Sequence, residues 1–385
     1  RRWGETLRKR GRLDDALEKY IEALDRMGAL RDSGSNLMGG IIASNLNERL
    51  DIYIGLSKIY FTLFKHDEAE SCIQQAFDDI SDRQHSEKSA ELLNILAGIA
   101  HRQGDYDKAF QLAEKCRSIY QAKNNRGGIS LTYSNMGILA ALKKDYAGAY
   151  DYFTFSLDLY KSLGDFNGIA IATNNLGQLE IGRGNYAGAI IHLEKSVNTA
   201  RRSELSHSLA QALANLGFAL TLFGNVGDGL DALNESKTVC EFNNYPELLS
   251  DVLWKLTECL IACDELDAAL ATAKSMYEKA RDVGIRDMEI QGLRILARAN
   301  RKMGKLSQGF KYIQEAWKSQ ENIKDWVQRT QLATEYALCL SALGYHDKAK
   351  QIFIELENEN LIEPKYIIRE LATYFPSDYQ NHPGK

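Results

Sequence analysis

Three asparagines at equal intervals, Asn135, Asn175 and Asn215, are the residues of this 385-residue chain best equipped to hold another molecule. A carboxamide carries both a donor and an acceptor, so one side chain can pair with the N–H and the C=O of an extended backbone. Asparagine is also a poor residue for a helix interior, because its short amide competes for backbone hydrogen bonds. Asn174 doubles the oddity beside Asn175, and Gln178 follows Asn174 by four residues on the same helical face. The alternative is that these amides only stitch adjacent helices together; the two roles are compatible.

Forty residues after Asn215 the same column turns charged at Lys255, with Trp254 directly before it. The next stretch carries Arg294, Arg298, Arg301 and Lys302. Arg294, Arg298 and Arg301 are spaced by four and three, so they share a helical face. Guanidinium groups there suit the carboxylates of an acidic peptide, taken in bidentate pairs, and Trp254 offers an apolar contact surface. The plainer reading is a solvated basic face with Glu289 nearby.

The elements that must aim these side chains follow from one period. Small residues recur every forty positions at Ala69, Ala109, Ala149, Ala189, Gly229, Ala269, Gly309 and Ala349. A second column keeps the same period at Ser57, Ala97, Gly137, Gly177, Gly217, Thr257, Ala297 and Ala337. Turn sequences such as "GDYDKA", "KDYAGA" and "GNYAGA" precede the first column, and three of the four prolines lie at Pro364, Pro376 and Pro383. Each repeat therefore reads as two helices around a tight turn, with small residues where their axes cross closely. One hairpin cannot bury its own apolar face, but a stack of eight or nine makes a continuous core. An earlier repeat around Gly11 and Ala16 is offset by thirteen extra residues. The Gly/Ser-rich stretch "LRDSGSNLMGGIIASN" is their expected loop.

Leu176–Gly177, Ala189 twelve residues after the glycine, then Leu193 and Ser196, resemble the tetratricopeptide repeat. The forty-residue form with "NNLG" and "GNYAGA" resembles the longer repeats of the Partner-of-Inscuteable (LGN) family and of kinesin light chains. The resemblance spans roughly residues 5–356 and implies an all-α, right-handed α-solenoid of about nine hairpins. It divides the chain into a repeat array over 1–356, with an irregular first repeat over 1–46 and regular ones from about 47, and a C-terminal segment over 357–385. There Ile367, Ile368, Leu371, Tyr374 and Phe375 are expected to form a capping helix, the alternative being that the segment folds back into the groove as an internal pseudo-ligand. The resemblance also implies that first helices line a concave groove, and that the asparagine column holds the backbone of an extended peptide.

Other functions find little purchase. The histidines are scattered, no His-Glu-x-x-His or Cys-x-x-Cys occurs, and Cys259 and Cys263 lack further ligands nearby in sequence. "GRGNYAG" follows a helix and lacks Lys-Ser/Thr, so it reads as a repeat turn rather than a phosphate loop. No catalytic constellation, cofactor or metal is expected. A net charge of −5 argues against nucleic acid, and no long uncharged apolar run suggests a membrane span. The basic N-terminus lacks the apolar region of a signal peptide, and a chain opening on Arg1 reads as a fragment or a processed product. Six cysteines read as reduced, buried thiols in a cytoplasmic protein. The expected function is a non-catalytic adaptor; the alternative is a sensor solenoid of a larger signalling protein or transcription regulator, answering a small peptide or metabolite.

Overall fold

The computed structural model describes residues 5, 13–32, 39–63, 65–80, 87–283, 286–320, 323 and 326–358. Among them are seventeen α-helices and no strand. The chain divides into two compact units, Arg1–Ser208 and Leu209–Lys385. In the first, α1 (Leu13–Asp32) precedes hairpins α2–α3 (Gly39–Thr62, His66–Ile80) and α4–α5 (Glu87–Arg102, Tyr106–Ala122). Two more follow, α6–α7 (Arg126–Leu142, Tyr146–Leu163) and α8–α9 (Phe166–Gly182, Tyr186–Arg202). The second unit begins within α10 (Ser206–Phe223), which leads to α11 (Val226–Asn243). It continues with α12–α13 (Pro246–Ala262, Leu266–Val283), α14–α15 (Arg286–Lys302, Leu306–Trp317) and α16–α17 (Trp326–Ala342, His346–Asn358).

The small columns lie where the helices of a hairpin cross. A Cβ added to Gly137 on α6 would fall 2.6 Å from the Phe153 ring on α7. One added to Gly177 on α8 would meet Leu193 of α9 at 2.5 Å. In the second unit, a Cβ on Gly217 would stand 2.6 Å from the backbone oxygen of Gly229, so there both columns must stay small. A hydrogen bond closes several hairpins in the same way. Cys116 Sγ donates to the carbonyl of Ala90 at 3.3 Å, and Ser156 Oγ to that of Ser130 at 2.8 Å. Ser196 Oγ donates to Ala170 at 2.7 Å, and Ser236 Oγ to Ala210 at 2.6 Å.

Turns repeat with equal regularity. Asp105, Asp145 and Asn185 cap their helices by accepting from the backbone N–H three residues on, at 3.0, 3.0 and 3.2 Å. The residue before each adopts a left-handed conformation: Gly104 at φ 76°, Lys144 at φ 62° and Gly184 at φ 76°. Between repeats, Gly164 at φ 65° ends α7 as the "LGD" sequence predicts. Stacked hairpins then share one core. Phe153, Leu157 and Tyr160 of α7 pack with Ala172, Leu176 and Leu179 of α8. First helices also touch first helices of the next hairpin: α2 with α4, α6 with α8, α12 with α14 and α14 with α16.

The expected loop before the regular array is corrected at both ends, while its centre, residues 33–38, lies outside the described residues. Leu30–Asp32 end α1, and Gly39 already opens a 24-residue α2 that runs through Ile41, Ile42 and Asn45. The irregular repeat therefore spends much of its extra length on helix, because the two glycines stand at a helix start, where an interior penalty does not apply. Gly11, the second inter-repeat glycine at Gly284 and the expected capping helix over 357–385 lie outside the described residues.

Candidate functional site

The expected binding residues all fall on first helices: α6 and α8 in the first unit, and α10, α12 and α14 in the second. The asparagine column does not behave uniformly. Asn135 Nδ2 donates to Asn94 Oδ1 at 2.7 Å, which ties α6 to α4. Asn215 Oδ1 accepts from Lys255 Nζ at 2.8 Å, which ties α10 to α12. Asn175 is different. It is only 7% exposed, and its Nδ2 meets no acceptor among the described residues. A buried amide donor left unmade costs about 1–3 kcal/mol, so its survival in the middle of α8 needs a reason. Asn174 beside it is buried too, while Gln178, one turn on, is exposed.

The charged part of the face is drawn inward rather than solvated. Lys255 is buried between Asn215 and the carboxylate of Asp251, one turn earlier on α12. Its ammonium also stands 5.7 Å from the centre of the Trp254 ring, which packs on Phe218. Arg301 meets Glu335 of α16 as a fork: Nε to Oε1 at 2.7 Å and Nη2 to Oε2 at 3.0 Å. Arg298 lies between Glu258 at 3.0 Å and the same Glu335 at 3.6 Å. Arg294 is buried beside them, whereas Lys302 is exposed. Glu289, expected near this cluster, pairs instead with Arg286.

Glu335 is the residue that sequence reasoning missed. Burial alone would push its carboxyl up, but the guanidinium of Arg301, helped by Arg298 and Arg294, holds it below the ordinary glutamate range. The signal was present: Glu335 is two residues before Ala337, the same register position as Asn135, Asn175, Asn215 and Lys255. Glu258 likewise stands forty residues before Arg298.

The six cysteines are free, and burial raises several thiols, Cys72 and Cys240 to about 11 and Cys116 to about 12. Such thiols are poor nucleophiles. Cys259 and Cys263 stand at the end of one helix, α12, where Cys263 Sγ donates to the Cys259 carbonyl one turn earlier at 3.0 Å. Among the described residues no group of three or more His, Cys, Asp and Glu could hold a metal ion, and no helix is long and apolar enough to cross a membrane. The chemistry these residues offer is hydrogen bonding from amides and ion pairing, carried on first helices within each unit.

A tetratricopeptide repeat model matches residues 48–122 and 128–202. Among solved structures the chain is similar to a Rap protein complexed with Competence and Sporulation Factor, at 12% identity and a TM-score of 0.67. That match covers 95% of this chain and 99% of the other. It is also similar to aspartyl phosphate phosphatase F from Bacillus subtilis, at 13% identity and a TM-score of 0.56, over 89% and 91% of the two chains. A third likeness is to a Signal Transduction ATPase with Numerous Domains from Pyrococcus horikoshii that has a tetratricopeptide repeat sensor, at 12% identity and a TM-score of 0.54. There the match covers 84% of this chain and 54% of that one. No curated protein matches the chain in sequence.

Proposed function

We propose, from the premise that this chain is a tetratricopeptide-repeat protein, that it is a non-catalytic adaptor whose first helices hold an extended segment of another protein. The observation that carries the reading is Asn175, a buried amide whose donor meets no acceptor within the described residues. A backbone carbonyl of a bound segment completes it, and the exposed Gln178 one turn away takes the next polar group. Asn135 and Asn174 belong to first helices of the same unit as Asn175, Asn215 to a first helix of the second unit, and Asn135 and Asn215 bond to neighbouring first helices. Likeness to a Rap protein solved in complex with a factor supports a partner-holding role. Six free thiols fit a reducing cytoplasm.

An acidic partner is the finer part of the proposal. Arg301 and Arg298 already meet Glu335 and Glu258, so an acidic segment is drawn by the summed positive field of Arg294, Arg298, Arg301 and Lys302 along α14, with Trp254 and Lys255 on α12. The second reading, a sensor solenoid within a larger protein, is supported by the likeness to a protein with a tetratricopeptide repeat sensor, which extends well beyond the matched 54%.

Selection of a displayed random-peptide library against the chain tests the first reading. Peptides enriched on the parent should lose binding to Asn175→Ala, a variant expected to stay folded. Enriched peptides that bind both proteins equally overturn it. Among those peptides, Arg294→Glu should weaken the acidic ones selectively, and unchanged affinity removes the acidic preference.

A further inference from the structure

The hydrogen bond that closes four of the hairpins has no donor at the equivalent position of the others, and at one of these, Met276, a cavity stands. Ser156, Ser196 and Ser236 each donate to a carbonyl twenty-six residues earlier. Forty residues after Ser236 the position is Met276, which has no donor to offer. Its partner position, twenty-six residues back, is Ser250 on α12. Ser250 is 6% exposed, and its hydroxyl meets no partner among the described residues. The equivalent Ser130, by contrast, donates to the carbonyl of Arg126 on its own helix at 2.8 Å.

Around Ser250 lies a cavity of about 340 Å³, formed by the end of α11, the starts of α12 and α14, and the last turns of α13. Its buried interior is Cys240, Leu249, Leu253, Met276 and Met288, and Ser250 is a further lining residue, whose hydroxyl a turn about its Cα–Cβ bond can bring to the cavity. The exposed Glu241, Lys279 and Asp282 border it, and Lys279 pairs with Glu241 at 3.6 Å. The volume is in the range of small-molecule sites, which combine an apolar lining with a few placed polar groups. Two methionines give a wall that adapts to shape. Two carboxylates against one ammonium at the border disfavour an anionic ligand.

We infer that this cavity is a binding site for a small, uncharged, mainly apolar molecule carrying one hydroxyl or carbonyl, which pairs with Ser250. The site is separate from Asn175 and does not depend on the adaptor reading. It lies wholly within the second unit.

Isothermal titration of the full chain with 2-naphthol, with 2-naphthoate and naphthalene as companions, tests it. One saturable site for 2-naphthol is expected, with 2-naphthoate at least tenfold weaker. Ser250→Ala keeps the space and removes the hydroxyl. It should weaken 2-naphthol about fivefold and leave naphthalene unchanged, the size expected for one hydrogen bond. Ala280→Met, which fills the cavity from α13, should abolish binding of both, with its melting curve confirming a folded chain. Absence of saturable 2-naphthol binding overturns the inference, as does a Ser250→Ala variant that binds all three probes like the parent.

Discussion

Arg301 of α14 grips both carboxylate oxygens of Glu335 on α16, at 2.7 and 3.0 Å, with side chains 1% and 2% exposed. The pair joins first helices of successive hairpins inside the second unit. Arg298 approaches the same carboxylate from one turn earlier, so a single anion organises two cations. Removing it takes the two-point partner from the buried Arg301, while Arg298 keeps Glu258 at 3.0 Å. Glu335→Gln should therefore cost about 3–5 kcal/mol, measured by urea denaturation. A loss below about 1 kcal/mol would show that the cluster contributes little.

The same carboxylate sets a response to acid. Its folded state holds the proton more weakly than the unfolded chain does, because the guanidiniums outweigh the burial that would raise it. Stability from this group is thus fully present above the ordinary glutamate range. It is lost as pH falls from that range through the depressed folded value. Denaturation midpoints followed from pH 7 downward should fall less steeply for Glu335→Gln than for the parent. Parallel curves would contradict the assignment.

Asn135 and Asn175 share a register but should answer opposite ways to the same change. Asn135→Ala removes a formed bond to Asn94 and should lower stability by about 1 kcal/mol. Asn175→Ala removes a buried donor with no acceptor in the described chain and should raise stability by about 1 kcal/mol. Chemical denaturation of the two variants decides it. Equal losses would mean that Asn175 is satisfied internally.

Lys144 holds φ 62° at a turn position where Gly104 and Gly184 stand one period to either side. A residue with a Cβ is disfavoured in that conformation by about 1–2 kcal/mol. Lys144→Gly should raise stability by about 1 kcal/mol, after the extra freedom of glycine in the unfolded chain is counted. Thermal melting is the check, and a lower melting temperature would count against strain at this turn.

The repeat was legible in the sequence because steric exclusion leaves little choice: Gly177 beneath Leu193 and Gly137 beneath Phe153 admit no larger side chain without displacement. The candidate face was only half legible. Positions of Asn135, Lys255 and Arg301 on first helices follow from the period, but their partners do not. Asn94 is three residues before the small column rather than two, so strict register does not point to it. Glu335 is in register, yet charge reversal in a column of amides disguised it. A long basic side chain chooses its carboxylate by reach across helices, and spacing along one helix cannot report that choice.

Asn135 to Asn94 and Ser208 to Asn167 each span 41 residues, barely more than one repeat. Hairpin closures such as Ser196 to Ala170 span fewer. Tension applied between the ends of such a unit is borne in series by short-range links. Under load it should lengthen in steps of one hairpin, each released from its neighbour and able to re-form against it, like rungs of a ladder parting one at a time.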